Sequence, residues 1–199
     1  MSGSSGKPEQ RTREQLIDEQ LRRAGWYVCD RKDIDLVNHQ GNAVREVVMN
    51  EGHGRVDYLL FVDKRVVGVI EAKSVGTTLA AVQWQSAMYA EGLPEDFRPT
   101  AVLHDGRLPF VFEASGVETQ FTNGFDPSPR ARKVFNVPMP ETLARLVREA
   151  EAHPAAPTWR ARVQAMPPYE DYDLRPASKR AVGAIEQSLA EQRHSRSLV

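Results

Sequence analysis

The chain has 199 residues, 41% hydrophobic and 27% charged, a balance that excludes a disordered polymer and gives room for one full domain and part of another. Lys and Arg total 26 against 27 Asp and Glu, a formal charge of −1, so no overall basic field exists to hold a polyanion unaided. No run approaches the ~18 apolar residues of a membrane span, no secretory signal opens the chain, and Cys29 as the single cysteine excludes an intrachain disulfide or a cysteine zinc cluster, which together point to a cytoplasmic protein.

In chain order, residues 1–10 read as a flexible leader of small residues. Leu16, Ile17, Leu21 and Ala24 recur at helical spacing, with Thr12 as N-cap and Gly25 as the stop. Trp26 to Cys29 and Val44 to Met49 are short β-prone runs. Arg55 to Val62 and Arg65 to Ala72 are richer still in β-formers, and Asp63-Lys64 between them predicts a hairpin. Both strands are apolar on both faces, so the sheet is expected to be covered on each side. A helix follows, capped by Thr77 or Thr78 and running to about Glu91, with Pro94 beyond it. Strands are predicted at Thr100 to His104 and Phe110 to Glu113. Residues 116–140 are rich in Gly, Pro and Asn without periodicity and are expected to be an ordered surface excursion. Pro140 to Ala150 has a helical stripe of Leu143, Leu146 and Val147. Residues 152–173 have the Pro-rich composition of a linker, and Arg175 to Gln192 is helical again. The alternation predicts an α/β fold, a mixed sheet flanked by helices.

The chemistry-bearing residues cluster on the hairpin. Glu71 and Lys73 are two apart in a strand and share a face. Whether Asp57 joins them depends on turn parity. A three-residue loop, or a two-residue loop with a bulge, places Asp57 opposite Glu71, and a plain two-residue loop turns it to the other face. An unpartnered carboxylate between Val56 and Tyr58 is costly, so a metal or a cation is expected beside it. Two carboxylates with the backbone carbonyl of Ala72 form an oxygen-only set suited to Mg²⁺. Lys73 could stabilise negative charge developing on a phosphodiester or position the attacking water.

Asp57 followed by Glu71-Ala72-Lys73 resembles the PD-(D/E)xK nuclease signature, with Val56 where the family has proline. Gln85 and Tyr89 at i and i+4 resemble the Gln-xxx-Tyr element of the type I restriction and RecB-like branch. The resemblance extends through Thr12 to Asp18 ahead of Gly25-Trp26, and through Phe121 to Asp126. It reaches Leu174-Arg175-Pro176, which is similar to the start of the motor that follows the nuclease in type I restriction R subunits. It implies a restriction-endonuclease-like core over residues 11–151, the linker at 152–173, and the start of a motor at 174–199. The glutamine that reads adenine in that motor is expected near Ser178, and no GxxxxGK[ST] loop occurs, so ATP would serve only a full-length subunit.

The resemblance further implies a Mg²⁺-dependent endonuclease acting on double-stranded DNA after translocation, with methyltransferase and specificity subunits as partners. Its catalytic residues would be Asp57, Glu71 and Lys73, its metal ligands Asp57, Glu71 and the Ala72 carbonyl, and its DNA-positioning residues Gln85 and Tyr89. Glu14 is either an additional metal-facing acid or an exposed helix-start glutamate favoured by the helix dipole. Gln85 and Tyr89 read equally as a solvated residue and a core aromatic. His53 and His104 read as loop and strand-end residues, and Arg130, Arg132 and Lys133 as either phosphate contacts or a solvated charge run. The alternative to catalysis is an idle domain kept as a DNA clamp or docking module.

Overall fold

In the computed structural model, residues 16–73, 88–115, 117–167 and 173–191 are described. The chain divides into two compact units, residues 1–147 and 148–199. In the first, the strands form one mixed seven-stranded sheet in sequential order: β1 (Tyr27–Cys29), β2 (Gly41–Val48), β3 (Arg55–Val62), β4 (Arg65–Ala72), β5 (Phe110–Ala114), β6 (Thr119–Asn123) and β7 (Arg132–Val134). The pairs β1·β2 and β4·β5 are parallel and the rest antiparallel. A parallel neighbour needs a crossover, and the one from β4 to β5 includes a helix, α2, of which residues 88–91 are described.

The hairpin has the predicted ends, and its turn is a two-residue Asp63-Lys64 loop with φ of 48° and 67°, the left-handed pair of a type I′ turn. Val62 therefore pairs with Arg65. The register then shifts between Leu60 and Phe61, where Phe61 pairs with Val66 but Leu60 with Gly68, so Val67 is the extra residue of a bulge. Beyond it Tyr58 faces Ile70. This local event reverses the parity that the short loop alone would impose.

Both faces of β3 are covered, as its two-sided apolar pattern requires. Leu59, Phe61, Val69 and Val111 pack with Tyr89, Ala90 and Leu93 at the end of α2, each large side chain adding about 1.5–3 kcal/mol on full burial. On the other face Tyr58 donates a hydrogen bond to Asp18 Oδ1 at 2.9 Å. Asp18 lies on α1, described over residues 16–23, whose Ile17 and Leu21 are fully buried while Leu16 is exposed. Thr12, expected to cap it, lies outside the described residues.

Three expectations are corrected. Thr100 to His104 is not a strand: Arg98–Thr100 is a short 3₁₀ turn, a single ladder bond forms from Val102 N to Val66 O at 2.8 Å, and His104 turns back to bridge Arg107. Pro99 sets the 3₁₀ turn, and Leu103 points to solvent. Residues 116–140 are not merely an excursion, since they contribute β6 and β7, which extend the sheet beyond β5. Residues 152–173 include the helix α4 (Trp159–Gln164), capped by Thr158, whose hydroxyl accepts from Ala161 N at 3.2 Å.

Helix α3 (Pro140–Ala152) runs across the division between the units, with Leu143, Ala144 and Val147 buried in the first. In the second unit, Arg162 lies over the Trp159 ring at 4.4 Å. There α5 (Pro176–Glu186), with Pro176 at its first turn, continues into a π-helical turn, Gln187–Glu191.

Candidate active site

The bulge at Val67 decides the geometry of the candidate site. With Tyr58 opposite Ile70, the next residues outward, Asp57 and Glu71, stand opposite one another and project from the same face. The ladder between β3 and β4 stops there, and the Ala72 amide donates to Asp57 Oδ2 at 2.7 Å instead of to a strand neighbour. An extended residue turns its N–H and C=O to the same edge, so the Ala72 carbonyl also faces the Asp57 side. Lys73 N is held on the opposite edge by Ala114 O at 2.8 Å.

Glu71 is the centre of the arrangement. Its Oε1 accepts from the Tyr89 hydroxyl, and its Oε2 lies 3.7 Å from Lys73 Nζ. Burial raises the Glu71 carboxyl above the ordinary glutamate range and Asp57 adds to the rise, while the Tyr89 hydrogen bond and Lys73 oppose it. Tyr89 is itself raised by burial and by Glu71, so its phenol stays protonated and acts as the donor. The structure thus brings Asp57, Glu71, Lys73 and Tyr89 together. Gln85 and Glu14 lie outside the described residues.

A further acid, which the sequence reading did not single out, stands beside these. Glu113 on β5 pairs with Glu71, is buried, and leaves its Oε2 without a hydrogen-bond partner. Burial raises its carboxyl, Lys73 opposes the rise, and Glu71 contributes to it. In the sequence it lies in an apolar run, Phe110-Val111-Phe112-Glu113-Ala114. A charged residue inside a fully apolar strand was the signal available, the same one that marked Asp57.

The remaining polar candidates are engaged elsewhere. Arg132 pairs with Asp126 at 3.1 Å and Lys133 with Glu118, so two members of the basic cluster bind neighbouring acids. His53 Nδ1 is 3.1 Å from Glu51 O and packs on Gly92, and His104 sets its ring edge against Phe125. The segment from Phe121 to Asp126 is a clamp. Asn123 Oδ1 accepts from Phe125 N, Gly124 N donates to Pro109 O, and Phe125 packs on Phe110.

No helix among the described residues is long and apolar enough to cross a membrane. No curated protein matches the chain. Among solved structures, a fragment of a putative HsdR subunit of a type I restriction enzyme from Vibrio vulnificus aligns with a TM-score of 0.48 at 17% identity, over 91% of this chain and 32% of that one. The chain therefore spans about a third of the length of that fragment. Residues 35–121, which include Asp57, Glu71, Lys73 and Tyr89, match the family model described as the second domain of the type I restriction enzyme EcoKI endonuclease subunit.

Proposed function

We propose that the first unit is a Mg²⁺-dependent nuclease domain of a type I restriction R subunit, hydrolysing DNA phosphodiester bonds at Asp57, Glu71 and Lys73. The observation that carries this reading is the Val67 bulge, which sets Asp57 opposite Glu71 with the Ala72 amide on the Asp57 carboxylate. The family match over residues 35–121 supports it, because the matched segment holds the whole arrangement.

The residues present fit a hard divalent cation. Asp57, Glu71 and the Ala72 carbonyl are oxygen donors, and Mg²⁺ needs only one or two carboxylates because it keeps several waters. When bound, Mg²⁺ polarises a phosphodiester and lowers the pKa of water. The protein's own contribution is positional and electrostatic. The Ala72 amide fixes the Asp57 carboxylate, and Tyr89 fixes one oxygen of Glu71. Lys73, beside Glu71, presents an ammonium to the negative charge that gathers on phosphate oxygens as water adds to phosphorus and the ester oxygen departs. Double-stranded DNA is the substrate of this reading. The near-neutral charge assigns much of the grip to the motor and to the methyltransferase and specificity subunits of a restriction complex.

The test is Glu71→Ala in an R subunit carrying this domain. Strand cleavage is expected to fall at least ~100-fold, the upper range seen when even outer-shell partners of a metal are lost, while DNA-stimulated ATP hydrolysis persists. Retained cleavage would show that the site is misassigned. An idle clamp is the competing outcome, in which the unmodified subunit translocates on DNA but neither it nor the variant cuts.

A further inference from the structure

The Tyr89 hydroxyl donates to Glu71 Oε1, so the placement of Glu71 depends on the end of α2, where Tyr89 stands. A helix leaves its last carbonyls without donors of its own, and here they are met from outside. Glu91 O accepts from the Arg98 guanidinium. Gly92 O accepts from the Asn50 backbone N–H at 2.7 Å, and Leu93 O from Asn50 Nδ2 at 2.9 Å. One half-buried residue thus engages two successive carbonyls, with its main chain and with its side chain.

Asn50 lies in the loop between β2 and β3, residues 49–54. The loop is closed on itself by Met49 N donating to Gly54 O at 2.9 Å and His53 N to Asn50 O at 3.0 Å. It also lays His53 on Gly92, where a Cβ would lie 2.4 Å from His53 Cβ, so a side chain at position 92 would push helix and loop apart. The chain then enters β3, which carries Asp57. The loop therefore ties the strand that holds one carboxylate of the site to the helix that orients the other. Tyr89, Ala90 and Leu93 are buried in the apolar core, but apolar burial is non-directional and does not fix a helix along its axis. Hydrogen bonds weaken steeply with angle, and the two from Asn50 set that position.

We propose that Asn50 is a positioning residue for the reaction: by binding the end of α2 to the loop that leads into β3, it keeps the Tyr89 hydroxyl on Glu71. This rests on the nuclease reading above, and the test separates the two. Strand cleavage is followed in an R subunit carrying this domain, with Mg²⁺ in excess. Asn50→Ala is expected to lower kcat roughly tenfold, the low end of the range for outer-shell partners of a metal, with KM for DNA and the ATP hydrolysis of the motor unchanged. In a Tyr89→Phe background the same substitution should add nothing, because the hydrogen bond it supports is already gone. A role in stability alone would not cancel in this way. An unchanged kcat in Asn50→Ala, or the full loss repeated in the Tyr89→Phe background, overturns the proposal and leaves the nuclease reading standing. Absence of cleavage by the unmodified subunit overturns both. Should Asn50→Ala not fold, Asn50→Asp takes its place with the same outcomes, since it keeps the size and the backbone bond and loses the donor to Leu93 O.

Discussion

The two faces of β3 carry polar groups a residue apart, Tyr58 buried and Asp57 half-buried, and they are built differently. On the Tyr58 face Asp18 is surrounded by donors: Tyr58 at 2.9 Å, Arg45 at 3.0 Å and Arg22 at 3.2 Å. Arg45 is raised by Asp18 and Asp30 against the effect of its own burial, so acid and base balance there. On the Asp57 face, among the described residues, three carboxylates lie beside the Lys73 ammonium, and the buried Glu113 Oε2 has no hydrogen-bond partner. A network that only joins a helix to a sheet satisfies its own charges. The Asp57 face is the one with more acid than base among the described residues, and the proposed function rests on that contrast.

The comparison can be broken at several points. Asp18→Ala should destabilise the fold by about 2–3 kcal/mol, the cost of a buried charged acceptor with several donors, and leave Mn²⁺ affinity unchanged. Urea denaturation and calorimetry together check this. A loss of cation binding without a loss of stability would invert the roles of the two faces. Gly68→Ala should cost about 1–3 kcal/mol through the forced contact with Phe110, because β5 must move away from β4, and urea denaturation reads the loss. An unchanged stability would mean that the close approach of β5 to β4 at Gly68 is not required by the fold.

The smallest effect concerns pH. Glu71 and Glu113 are raised by burial, so the folded chain binds these protons more tightly than the unfolded chain. That contribution to stability is complete below the ordinary glutamate range and is lost as pH rises through the raised values. In chelator, wild type should therefore gain stability relative to a Glu71→Gln/Glu113→Gln double variant as pH falls from neutral into the mildly acidic range. Added Mg²⁺ should recover wild-type stability at neutral pH and do nothing for the double variant. A difference between the two proteins that does not change with pH would contradict the assigned burial of both carboxyls.

Much of this contrast was legible in the residues. The two-sided apolar character of Arg55 to Val62 and Arg65 to Ala72 predicted a sheet covered on both faces, and α1 and α2 cover it. The last two strands, β6 and β7, were not legible, because Thr119 to Asn123 and Arg132 to Val134 carry little apolar pattern and owe their conformation to pairing outward from β5. Thr100 to His104 failed in the opposite sense. Its β-prone residues make one ladder bond before the chain turns back.

Period-two alternation alone placed Glu71 and Lys73 side by side, since no tertiary arrangement of a regular strand can separate residues two apart. The face taken by Asp57 was decided by one extra residue, Val67, because a bulge reverses the parity of everything beyond it and depends on packing between strands. The neighbour of Glu71 was decided by the parallel pairing of β5, which follows a crossover and has no counterpart in local spacing. Short-range geometry was set by the chain's own covalent periodicity. The third carboxylate came from contacts between segments about 40 residues apart, which only the assembled sheet defines.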